Sequence, residues 1–85
     1  MADIDIYTIR HCPYCQDAKE LLKRKGVVFH EIDASREREI CKKMIERANG
    51  RSTFPQIFIG EKHIGGCDDL HDLDAMGELD GLLQS

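Results

Sequence analysis

The sequence predicts an α/β fold, a small mixed sheet covered by helices. Residues 5–9 alternate and are rich in β-formers, a helical apolar pattern follows them directly, and a second β-rich run follows that helix. A strand–helix–strand unit of this kind pairs its strands in parallel through a right-handed crossover. Two further short runs, joined by Gly60-Glu61, add an antiparallel hairpin.

The first helix is expected over 13–25. Ala18, Leu21 and Leu22 share one face, and Gly26 stops it after Lys23, Arg24 and Lys25. Residues 27–33 read as the second strand. Ser35 reads as an N-cap with Glu37 and Glu39 in the favourable first turn. The helix it opens carries Ile40, Cys41, Met44, Ile45 and Ala48 on one stripe and ends at Asn49-Gly50. Cys41 there reads as a small buried hydrophobe. Residues 56–59 form the third strand, Gly60-Glu61 suits the centre of a II′ turn, and 62–64 return as the fourth. After Gly65-Gly66 a last helix starts at Asp68, breaks at Gly77 and resumes through Leu79, Leu82 and Leu83.

The 85 residues are expected to form one domain, 1–85, near the size where a single core suffices. A net charge of −4 argues against nucleic acid or an anionic membrane surface as partner. No apolar run approaches the roughly 18 residues of a membrane span. The start lacks the basic and apolar regions of a signal peptide, so a cytoplasmic location is expected. Cytosolic thiols stay reduced unless they are redox-active.

Two of the four cysteines fall together, in His11-Cys12-Pro13-Tyr14-Cys15, where the first strand gives way to the first helix. Cys12 falls at the N-cap and Pro13 at N1, a position that needs no N–H and suits proline's fixed φ. Cys15 lies one turn on, within bridging reach. Cysteines at helix N-termini or in C-x-x-C pairs ionise at roughly 3.5–7.5, against about 8.5 for a free thiol. The helix field supplies only about 0.3–1 kcal/mol, less than one pKa unit at about 1.4 kcal/mol each. Direct N–H···S contacts, with Arg10 or His11, must supply the rest. Cys12 is therefore the candidate nucleophile and Cys15 the resolving thiol. A structural disulfide, or half of a zinc site completed by His63 and Cys67, is also compatible with C-x-x-C. The strand-to-helix setting favours redox chemistry, and no metal is assigned.

Tyr14, between the thiols, suits an amphipathic wall for a substrate. Thr53-Phe54-Pro55-Gln56 leads into the third strand, and backbone left unpaired beside Pro55 could pair with an extended ligand. Gly65-Gly66-Cys67-Asp68-Asp69 offers helix N–H groups and two carboxylates. That is a seat for a zwitterion, with its carboxylate on the N–H groups and its amino group on Asp68 or Asp69. An ordinary helix cap would account for one of those aspartates.

Cys12-Pro13-Tyr14-Cys15, Thr53-Phe54-Pro55-Gln56-Ile57-Phe58-Ile59 and Gly65-Gly66-Cys67-Asp68-Asp69-Leu70 together resemble a dithiol glutaredoxin of the small bacterial glutaredoxin 3 type. The resemblance covers essentially the whole chain. It implies the thioredoxin fold, with strand order 2-1-3-4, three or four flanking helices and a cis peptide before Pro55. It implies a glutathione-dependent thiol–disulfide oxidoreductase with no bound cofactor and glutathione as reductant. Carried over, Cys12 and Cys15 are catalytic, while Arg10, Tyr14, Thr53, Phe54, Pro55, Gly66, Cys67, Asp68 and Asp69 hold glutathione. Disulfide-containing or glutathionylated proteins are the implied substrates, ribonucleotide reductase being one candidate, and the chain is expected to act as a monomer. The alternatives are a redoxin served by thioredoxin reductase and an iron–sulfur or metal-binding module using Cys12. Two positions depart from the family pattern. Ile9 stands where a basic residue is usual, leaving Arg10 or Arg51 to meet the glycyl carboxylate, and Phe54 stands where valine is usual.

Overall fold

The structure, a computed structural model, describes residues 3–84. In chain order it runs β1 (Ile4–Thr8), α1 (Pro13–Arg24), β2 (His30–Asp33), α2 (Arg38–Arg47), β3 (Gln56–Ile59), β4 (Lys62–Gly65), α3 (Cys67–Ala75) and α4 (Leu79–Leu83). The sheet order is β2-β1-β3-β4. β1 pairs in parallel with β2, and β3 is antiparallel to both β1 and β4. This is the thioredoxin fold.

Side-chain alternation sends the two sides of each strand to different helices. Ile4 and Ile6 of β1, with Ile57 and Ile59 of β3, pack against Ala18, Leu21 and Leu22 of α1, Leu70 of α3, and Leu79 and Leu83 of α4. Tyr7 and Phe58 point the other way, onto Met44 and Ala48 of α2. Gly60 has φ +60 and Glu61 no positive φ, as the expected II′ turn requires.

Three details differ from expectation, each because a tertiary partner overrides a local preference. β2 begins only at His30, opposite Asp5, so the parallel ladder starts one residue inside β1, whose Ile4 pairs with Ile59 of β3 alone. Val27 and Phe29 pack on the core without pairing, while Val28 is 76% exposed. Ser35 does not cap α2, whose N-cap is Glu37 with no side-chain bond. Its Oγ instead accepts from the Arg10 N–H at 2.8 Å, and its own N–H donates to Asp33 Oδ1 at 2.8 Å. Cys41 is half-buried rather than a core residue.

Candidate active site

The N-terminus of α1 is built as the sequence predicts. His11 takes a left-handed φ of +56, Cys12 is the extended N-cap, and Pro13 opens the helix. The Cys15 N–H donates to Cys12 Sγ at 3.2 Å, a thiol version of the usual Ser or Thr cap bond. A donor aimed at sulfur stabilises its charged form more than its neutral one.

The two thiols sit at different depths. Cys12 is half-buried, whereas Cys15 is 1% exposed. Burial, reinforced by the hydrogen bond to Cys12, pushes the Cys15 thiol up to about 12. Cys15 therefore holds its proton at neutral pH, and all four cysteines are free thiols here.

Beside them runs a groove of about 320 Å³ lined by Tyr14, Arg51, Thr53, Phe54, Pro55, Gly66, Cys67, Asp68 and Asp69. Tyr14, 63% exposed, stands as a wall at the thiol end. The Phe54–Pro55 peptide is cis. Thr53 is held from below, since its Oγ1 accepts from Gln56 Nε2 at 3.0 Å. Gln56 is itself buried and meets His63 Nε2 through Oε1 at 2.6 Å.

At the far end α3 begins. Asp69 Oδ2 accepts from the Gly66 N–H at 2.9 Å and from Arg51 Nη1 at 3.2 Å. These donors hold its carboxyl below the usual range, the Gly66 N–H most of all. Asp69 is thus a helix cap and the partner of a cation, while Asp68 is exposed. Gly65 has φ +117, and a Cβ there would collide with the Asp69 carboxylate and lie 2.8 Å from Arg51 Nη1. The first N–H groups of a helix lack internal partners, so those of Cys67 and Asp68 are available to the groove.

Eight of the nine residues the sequence assigns to ligand binding line this groove; Arg10 does not. Its backbone turns to Ser35, beyond the C-terminal end of β1. The cation that does line the groove is Arg51, and its pairing with Asp69, 18 residues away, carries no local sequence signal. The four-ligand set Cys12, Cys15, His63 and Cys67 is not assembled, because His63 is bonded to Gln56 and stacks on Phe58 at 4.9 Å. No helix among the described residues is long and apolar enough to cross a membrane.

Comparison with known proteins agrees with this geometry. The glutaredoxin family model matches residues 4–64. Glutaredoxin 3 of Escherichia coli is 54% identical over 84 residues, covering 99% of this chain and all of its own. The solution structure of a Brucella melitensis glutaredoxin is 59% identical with a TM-score of 0.85, over 98% of this chain and 89% of that one. A buckwheat glutaredoxin–glutathione complex is 29% identical with a TM-score of 0.89, over 98% of this chain and 77% of that one. The chain belongs to the glutaredoxin family and is a glutathione-dependent thiol–disulfide oxidoreductase.

Proposed function

We propose that Cys12 is the nucleophile, Cys15 the resolving thiol, and the groove beyond Tyr14 the glutathione seat. The observation that carries this is the N-cap sulfur of Cys12, with a backbone N–H on it, two residues from Tyr14, which lines a groove that also takes in a second helix N-terminus.

The Cys12 thiolate attacks one sulfur of a substrate disulfide, forming a mixed disulfide and expelling the other sulfur as a thiolate. Cys15 then attacks Cys12 Sγ and gives its proton to the departing thiolate, leaving a Cys12–Cys15 disulfide and a reduced substrate. One glutathione thiolate attacks that disulfide at Cys12, and the departing Cys15 thiolate takes a proton from solvent to restore its thiol. A second attacks the glutathione sulfur, releasing oxidised glutathione and the Cys12 thiolate. Potentials of about −200 to −230 mV, usual for glutaredoxins, lie close enough to a cytosolic glutathione pool for this to turn over.

Within the groove, Thr53 and Phe54 offer backbone to the cysteinyl part of glutathione. The Cys67 and Asp68 N–H groups receive the γ-glutamyl carboxylate, and Asp68 meets its amino group, since Asp69 is engaged by Gly66 and Arg51. Of the two cations the sequence offers for the glycyl carboxylate, Arg10 and Arg51, it is Arg51 that lines the groove and takes that role. Phe54 packs partly against the α2 side of the core, so its bulk rims the groove rather than filling it. The proposed setting is a cytoplasmic monomer of one domain, acting on disulfide-containing or glutathionylated proteins, with ribonucleotide reductase a candidate.

Two substitutions test the assignment. Cys12→Ser is expected to abolish turnover with every substrate. Cys15→Ser is expected to lose protein-disulfide reduction but keep reduction of a glutathione mixed disulfide. A Cys15→Ser protein inactive in the mixed-disulfide assay would count against these roles.

A further inference from the structure

Behind the groove, where α1 packs on α3, the fold gathers three metal-ligating side chains that the redox chemistry does not use together. Cys67 and His71 are four residues apart on α3 and so share one face, and Asp17 faces them from α1. Their ligand atoms all lie within 4.8 Å of one another. Cys67 Sγ is 3.7 Å from Asp17 Oδ2, and His71 Nε2 is 3.5 Å from the same oxygen.

The two separations to Asp17 Oδ2 match a coordination shell, and the Cys67–His71 separation, within 4.8 Å, would close by up to about 1 Å on a shared ion. Zinc bonds of about 2.0–2.3 Å arranged as a tetrahedron put ligand atoms roughly 3.3–3.8 Å apart. A separate observation points the same way. His71 Nε2 is buried and makes no hydrogen bond within the protein, although Asp17 is close by. A buried ring nitrogen without a donor or acceptor is costly and calls for a partner.

We propose that Asp17, Cys67 and His71 form a site for a thiophilic divalent cation of the zinc class, with one coordination position left open. A thiolate, an imidazole and a carboxylate are all zinc donors, and three protein ligands with one open position is a recurrent arrangement. On binding, the Cys67 thiol releases its proton to solvent and no electrons move. The Asp17 carboxylate, within reach of both the Cys67 sulfur and the His71 ring, gives the cluster an anionic ligand for a dication. The site differs from any centre built on Cys12 and does not depend on how glutathione is held.

The test uses the full-length reduced chain carrying Cys12→Ser and Cys15→Ser, so that the redox thiols cannot bind the probe. Titration with cobalt(II) is expected to saturate at one equivalent. It should give near-ultraviolet thiolate-to-cobalt charge transfer and the intense visible bands of a tetrahedral ion, both displaced by zinc(II). Cys67→Ser should abolish the charge-transfer band, and Cys41→Ser should leave it. Asp17→Asn and His71→Gln should each weaken binding at least about tenfold, the loss that even an outer partner of a metal site typically causes. Circular dichroism identifies any variant that fails to fold. In the folded variants the rise in melting temperature caused by zinc(II) in the parent should shrink in parallel. Absence of the charge-transfer band in the parent would overturn the proposal. So would a band that survives Cys67→Ser, or full affinity in folded Asp17→Asn and His71→Gln.

Discussion

The two sides of the sheet are held together by different physics. On the side covered by α1, α3 and α4 the contacts are almost wholly aliphatic: Ile4, Ile6, Ile57 and Ile59 meet Leu21, Leu22, Leu70, Leu79 and Leu83. On the side covered by α2 the buried apolar set among the described residues is Tyr7, Met44, Ala48 and Phe58. A cation supplements it. Arg47 lies 4.2 Å from the Phe58 ring centroid and 5.9 Å from that of Tyr7. It also donates to the Tyr7 hydroxyl at 3.2 Å and pairs with Asp5 at 2.9 Å. Apolar burial tolerates changes of salt and pH, whereas cation–π and ion-pair contacts do not. Cys15 and the α3 end of the groove are mounted on helices of the aliphatic side, while the Arg51–Pro55 wall comes from the loop between α2 and β3.

Truncation on the aliphatic side is expected to have the largest effect. Leu22→Ala removes a fully buried side chain under α1 and should cost about 2–5 kcal/mol in urea unfolding. Arg47→Met, which keeps the stem and deletes the charge, should cost about 1 kcal/mol, and less in high salt. Equal costs for the two variants would erase the distinction between the faces. The smallest effect is a pH dependence at His63, which stacks on Phe58. Burial, with the positive charge of Arg51, holds His63 below its ordinary value. The unfolded chain therefore takes up this proton first as pH falls, so His63 contributes stability above about pH 6.5 that is lost on acidification. A melting temperature that declines from pH 7 to about 5.5 in the parent, but not in His63→Gln, is the expected signature.

Much of this was legible in the sequence because local chemistry and tertiary structure agree. Pro13 after Cys12, Gly26 after a basic helix end, and Gly60-Glu61 between two short strands each act where they stand. Asp68 and Asp69 were visible as a pair at the start of a helix, but not how they divide the work. That depends on Arg51 arriving from a distant turn to engage Asp69. Ser35 misled for a related reason, since a hydroxyl well suited to capping is taken by the Arg10 N–H 25 residues away. The Asp17, Cys67 and His71 grouping leaves no trace in spacing apart from the four-residue step within α3, because its third member comes from another helix.

The left-handed backbone at Gly65 limits how this protein can be altered. Any β-carbon at that position must displace the arginine–carboxylate pair, whereas one at Gly66 would meet the Pro55 carbonyl at 3.4 Å, about the edge of ordinary contact. The floor of the cleft is therefore closed to replacement at Gly65. Attempts to change what it accepts will have to recut its rim at Tyr14, Thr53 and Phe54, where side chains can change without moving the main chain.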